Sequence, residues 1–272
     1  MDALGTLPLV LAVVLVELAV GGAFLVWLLD RRGDAPGGFL KLTTAVDALA
    51  AAAAVGLVPA LPRGDLAIKL GLDAGPLASF GQALVVVAVV AVAHLVSTFI
   101  PSRSFRNIVG VIAIVAGVVA LLVAAVARPS PTDARYDIFA LLVLPLGALT
   151  LGGVDGAMLL GHWYLVTPKL SPRPLQTAAL VVVGAIALQF AIVVITIARG
   201  ELAGTTQAGL LVAIGIRIGV GLLMTFGVAA AAWWTARMNT QSSTGLLYVG
   251  LGTALAGEIS ARVLFFLTGA AV

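Results

Sequence analysis

The sequence predicts an all-α integral membrane protein: eight transmembrane helices forming two four-helix bundles related by a weak internal repeat. Three observations predict it. The chain is 61% hydrophobic and 10% charged, with a mean hydropathy of +1.18, a balance that soluble domains do not hold. Its apolar residues gather in runs of about 20–28, long enough to cross a bilayer as helices and unlike the ten-residue alternation of a barrel strand. Only helices and closed barrels satisfy every backbone polar group inside lipid, so runs of this length must be helices.

The spans follow in order. The first, 7–29, is one continuous apolar run without a small-residue cleavage site, and it is read as a membrane span and not as a removed signal. The charged link Asp30-Arg31-Arg32-Gly33-Asp34-Ala35-Pro36 leads to span two, 39–61. Span three, 78–100, stops at Pro101-Ser102-Arg103, and span four, 108–127, at Arg128-Pro129-Ser130-Pro131. Span five, 138–166, ends in Gly161-His162-Trp163-Tyr164 before Pro168-Lys169-Leu170-Ser171-Pro172-Arg173-Pro174. Spans six to eight cover 175–198, 209–236 and 245–269. The aromatic pairs Trp163-Tyr164 and Trp233-Trp234 fall where interfacial anchors belong. The links are too short for a soluble domain, so any water-soluble catalytic machinery belongs on another chain.

Val20-Gly21-Gly22-Ala23 in span one matches Val154-Asp155-Gly156-Ala157 in span five. The offset is about half the chain and divides it into halves 1–130 and 131–272. Four spans per repeat preserve orientation, which relates the halves by an axis along the membrane normal. Gly152, Gly153, Gly156, Gly215, Gly219 and Gly227 are expected to let helix backbones approach closely.

Odd-numbered links and their flanks carry Arg31, Arg32, Lys41, Arg103, Arg106, Lys169, Arg173 and Arg237. Even-numbered ones carry Arg63, Lys69, Arg128, Arg135 and Arg199. The bias places odd links inside and both termini outside a prokaryotic cytoplasmic membrane. The pI near 9.7 arises from these residues and bears on topology, not on nucleic acid. The absence of cysteine excludes disulfides and thiolate-held iron–sulfur clusters within this chain. There is no His-Glu-x-x-His motif and no phosphate-loop spacing.

Eight titratable residues lie at depth. A charge at mid-membrane costs about 2.5–3.5 kcal/mol on the insertion scale, so each needs a partner or a function. Glu17, Arg217, Glu258 and Arg262 form a central-to-outer group. Glu258 and Arg262, four residues apart, share a helix face. This group reads either as an ion-pair network clamping spans seven and eight, or as the polar end of an apolar quinone pocket. Quinol oxidation requires proton acceptors within hydrogen-bond reach and an apolar slot for the tail. Glu17, without a charge partner on its own helix, is the preferred acceptor, with Glu258 beside it. Asp47, His94, Asp155 and His162 form a central-to-inner group of secondary proton-relay or quinone candidates. Asp155 and His162, seven residues apart, share a face and suit a relay towards the inside. His94 and His162 sit at similar depth and fit three readings: ligands of a b-type haem, quinone hydrogen-bonders, or satisfied core histidines.

Two stretches resemble one family. Leu7-Pro8-Leu9-Val10 with Glu17-Leu18-Ala19-Val20-Gly21-Gly22-Ala23-Phe24 resembles the first span of the dimethyl-sulfoxide reductase membrane-anchor subunits. Gly257-Glu258 with Arg262 and Phe265 resembles the Gly-Glu…Arg…Phe signature of their last span. The related polysulfide-reductase-like anchors share the two-bundle architecture. The resemblance covers roughly forty residues at the two ends, and the middle of the chain carries no matching motif. Where the family has an amide near Glu17, this chain has a carboxylate, which implies different proton chemistry there. The resemblance implies a haem-free anchor without a covalent cofactor. Such a subunit exchanges electrons between menaquinone/quinol and an iron–sulfur subunit, which connects to a molybdenum-cofactor catalytic subunit. The competing readings are a b-type cytochrome, a small-solute or ion transporter, and an assembly subunit with a degenerate quinone pocket.

Overall fold

A computed structural model describes residues 3–130, 135–166, 170–203 and 205–272. Pro131, Pro168 and Lys169, assigned above to links, lie outside the described residues. The chain has eight helices long and apolar enough to cross a membrane, and no strand is present among the described residues.

Polar side chains cap the starts of several spans. Helix α1 (Ala3–Arg32) ends on Arg31 and Arg32, cations where the helix dipole favours them. It is followed by α2 (Gly37–Gly56) and the short α3 (Asp65–Lys69). Asp73 caps α4 (Ala74–Ser97) by accepting from Gly75 N at 3.0 Å, and Ser102 caps α5 (Arg103–Val126) through Phe105 N. Asp137 accepts from Phe139 N and Ala140 N at 2.8 and 3.3 Å and starts α6 (Ile138–Val166). Helix α7 is Arg173–Ala198. Span seven is one rod in three pieces: α8 (Ala208–Gly215), a π-helical stretch Ile216–Met224, and α9 (Thr225–Thr235). Asn239 caps α10 (Thr240–Thr268), and Gly269 closes it at φ 77°, a left-handed conformation that glycine adopts without strain.

The helices form two rings. α1 packs on α2 and α5, and α4 packs on the same two; α6 packs on α7 and α10, and α9 packs on the same two. Neighbour order is thus the same in both halves. The rings meet mainly through α1 against α6, with α10 also touching α1. Burial follows that plan: 78% of the most apolar window of α1 is buried, against 22% for span seven. Outward-facing valines such as Val85, Val89 and Val92 on α4 are exposed, as lipid contact requires.

Glycine sets the α1–α6 contact. A Cβ on Gly21 would lie 1.8 Å from the Ala148 carbonyl oxygen, and one on Gly152 would lie 2.3 Å from that of Leu18. A Cβ on Gly156 would press on Leu25 at 2.8 Å. The expectation fails at Gly215, Gly219 and Gly227, where an added Cβ meets nothing within 4 Å. These three lie on outward faces of span seven. The close approach in that span is instead at Gly221, whose Cβ would sit 2.5 Å from Gly257 Cα.

Candidate functional site

Three spans converge on one buried polar centre. Glu17 comes from the middle of α1, Arg217 from the π-helical stretch, and Glu258 and Arg262 from α10. All four are 0–1% exposed. Glu258 is the hub: Arg262 Nη2 donates to its Oε2 at 2.6 Å and Arg217 Nη1 to its Oε1 at 3.1 Å. Arg262 Nε lies 2.6 Å from Glu17 Oε1. The charges touch there, but the Nε–H does not point along the contact, and Glu17 Oε2 has no hydrogen-bond partner among the described residues.

The local sequence explains the convergence. Gly221 and Gly257 bring span seven and α10 into backbone contact, which places Arg217 beside Glu258. Arg217 rides on a π-helical stretch, a wider turn that occurs often at functional sites. Gly147 on α6 leaves the volume the centre occupies: a Cβ there would fall 2.2 Å from Arg262 Nη2, 2.8 Å from Glu258 Oε2 and 2.9 Å from Glu17 Oε1. Two turns of α6 supply neutral support. Val143 O accepts from Arg262 Nη2 at 3.2 Å. Gln189 on α7 accepts from Arg217 through its Oε1 and donates through Nε2 to Thr150 Oγ1 at 2.6 Å and Leu146 O at 3.2 Å. Sequence reasoning missed Gln189, Thr150, Gly147 and Gly221. Gln189 carried a usable signal, an amide in the middle of an apolar span.

With both acids ionised, the two carboxylates and two guanidinium groups cancel, as a low-dielectric site requires. Unpartnered atoms remain on both sides of the charge: Glu17 Oε2 can accept, while Arg217 Nε and Arg262 Nη1 can donate. That set can both accept and donate hydrogen bonds. Ile186, Phe190, Leu222 and Phe226 line an apolar groove of about 260 Å³ between α7 and span seven.

The second predicted group divides. Asp47 and His94 are 2% and 3% exposed and line one small cavity inside the first bundle. Asp155 is buried, but His162 is exposed and its Nδ1 lies 3.2 Å from Tyr248 Oη. The spacing that suggested an Asp155–His162 relay therefore links a buried group to a surface one. His94 and His162 belong to different bundles, and no contact joins them among the described residues. No group of three or more His, Cys, Asp or Glu suited to a metal ion occurs among the described residues.

Among the aromatic residues, Tyr164 differs from expectation. Tyr164 is buried and donates to Ser171 O, so it fastens the α6–α7 connection and is not an interfacial anchor. Trp163 packs on Gly38, where a Cβ would be 2.0 Å from its ring. Trp233 and Trp234 pack edge to face, with Arg237 4.4 Å above the Trp233 ring. Comparison with protein-family models, curated proteins and solved structures finds no match.

Proposed function

We propose that the chain is the quinone-reactive membrane anchor of a multi-subunit oxidoreductase. In this reading it exchanges electrons between menaquinone/quinol and an iron–sulfur partner subunit, which is joined to a molybdenum-cofactor catalytic subunit. One observation carries the reading. The two stretches that resemble the anchor family lie at opposite ends of the sequence, yet Glu17 from one and Glu258 and Arg262 from the other meet within 2.6 Å contacts.

Quinol would supply two electrons and two protons. Glu17 offers Oε2 as a proton acceptor, and Arg262 holds its other oxygen. Glu258 balances both guanidinium groups and so fixes where their remaining N–H donors point. Gln189 orients Arg217 from the opposite side. With no cysteine, electrons leave through a partner's cluster.

Complete enclosure favours a second reading, in which the four charges only lock α1, span seven and α10 together. Quinol-dependent turnover of the purified intact complex separates the two. Glu17→Gln and Glu258→Gln are each expected to lower turnover per assembled complex at least tenfold, with the amount of assembled complex measured separately. Unchanged turnover in both variants would leave only the lock. A reduced-minus-oxidised visible spectrum of the same sample tests the b-type cytochrome reading, and solute flux by the isolated chain in liposomes tests the transporter reading.

A further inference from the structure

The first bundle contains a second buried polar site that uses none of the four-charge centre. α1, α2, α4 and α5 enclose a cavity of about 10 Å³, at the lower limit of the room one water needs. Its walls are small apolar side chains, among them Ala19, Ala23, Ala91 and Ala113, plus two titratable groups, Asp47 and His94. Asp47 lies against α1 where Gly22 leaves space: a Cβ on Gly22 would be 2.0 Å from Asp47 Oδ1. Neither carboxyl oxygen has a hydrogen-bond partner among the described residues. Thr43, one helical turn away on α2, is fully buried, with its Oγ1 also unpartnered.

A buried carboxyl group without a partner is costly, and a buried water normally makes two to four hydrogen bonds to such groups. The cavity offers two. We propose that it binds one water molecule bridging Asp47 and His94, forming a proton-holding pair inside the first bundle. The imidazole N–H donates to the water oxygen, and the water donates to an Asp47 oxygen. When the ring is imidazolium and Asp47 carboxylate, a proton passing from ring to carboxylate crosses the same two bonds and leaves neutral imidazole and carboxylic acid. The other ionisable groups within electrostatic reach are Asp155 of α6 for Asp47, and Asp30 of α1 for His94. Asp30 is itself paired with Arg106 at 2.9 Å. The proposal does not depend on the quinone reading, because Glu17, Arg217, Glu258 and Arg262 take no part in it.

The chain has only two histidines, so nitrogen-15 histidine labelling of the full-length protein in lipid gives two resolvable imidazoles, and His94→Gln identifies one. Ala91→Val fills the cavity while keeping both polar groups, and Asp47→Asn removes only the acid. The His94 ring-nitrogen shifts are expected to move in both variants and to stay unchanged in Glu17→Gln. Infrared spectra of wild-type protein in oxygen-18 water are expected to show one isotope-shifted internal O–H band that Ala91→Val abolishes. Unmoved His94 shifts in a folded Ala91→Val variant would overturn the proposal. The absence of an isotope-sensitive band in wild type would do so even where the variants fail to fold.

Discussion

The two buried polar sites solve the same problem in opposite ways. In the four-charge centre each acid has a cation within 2.6–3.1 Å, and the neutral groups of Gln189, Thr150 and α6 carbonyls take further N–H donors. In the first bundle Asp47 has neither an ion pair nor a side-chain hydrogen bond among the described residues. The first arrangement fixes geometry across three spans, since moving any helix strands a charge in low dielectric. The second fixes little and leaves room for a water and a mobile proton. Buried ionisable groups in one protein therefore need not share a role; the partner set distinguishes a charge-compensated centre from an uncompensated one.

The largest expected effect comes from breaking the lock. Arg262→Met strands Glu17 and leaves Glu258 with a single cation. Removing one member of a buried pair costs about 3–5 kcal/mol, so the variant should lose most folded protein, measured by thermal unfolding in detergent. Arg262→Lys should not restore it. One ammonium cannot replace contacts that Arg262 makes through Nε to Glu17 and through Nη2 to Glu258 and Val143 O. A Lys variant of wild-type stability would mean that net charge alone matters.

Next is the contact that carries the lock. Gly21→Ala drives a methyl group into the Ala148 carbonyl, and overpacking of this kind typically costs about 1–3 kcal/mol. Gly219→Ala, which meets open space, should be unchanged or slightly more stable, because alanine is the better helix former. Equal losses in the two would remove the distinction between the α1–α6 seam and the outer face of span seven.

How legible this was from the sequence depended on the kind of signal. The eight spans were readable because lipid imposes length and apolarity on each one independently of its neighbours. Glu17, Arg217, Glu258 and Arg262 were readable as a group because charge at depth demands charge at the same depth. Which face a residue occupies was much less readable. Gly219 and Gly221 differ by two positions, and one points outward while the other touches Gly257. The π-helical stretch alters facing through that region, and a regular helical period does not anticipate it. His162 and Tyr164 likewise exchanged expected roles, one exposed and the other buried. Gln189 was overlooked because it carries no charge, although an amide at mid-span has the same need for partners.

The relay side of the comparison predicts a smaller effect. Asp47→Asn exchanges an unpartnered acid for a neutral group of similar size, so stability should stay within about 1 kcal/mol of wild type. Set beside Arg262→Met in the same unfolding assay, it separates a compensated acid from an uncompensated one. A loss as large as that of Arg262→Met would show that Asp47 holds the first bundle together.

The smallest effect belongs outside the membrane and shows what burial contributes. Asp137 caps α6 and pairs with Arg199 at 2.7 Å, with side-chain exposures of 26% and 42%. Partial burial pushes its carboxyl group up. The Arg199 hydrogen bond and the Ala140 and Phe139 amides outweigh this and hold it below the usual carboxylate range. A carboxylate held low in the folded state contributes its full stabilisation above the unfolded value, about 3.9. It loses that contribution as pH falls through its own lower value. Because the pair is exposed, the contribution should be small and shrink with salt. Asp137→Asn should therefore shift the melting temperature slightly near neutral pH and low salt, and not at all in acid. The corresponding loss in Arg262→Met should be indifferent to salt, since no counter-ion reaches a fully buried guanidinium group. A strong salt dependence in Arg262→Met would mean that water and ions enter the four-charge centre, as a site open to a ligand headgroup would allow and a closed lock would not.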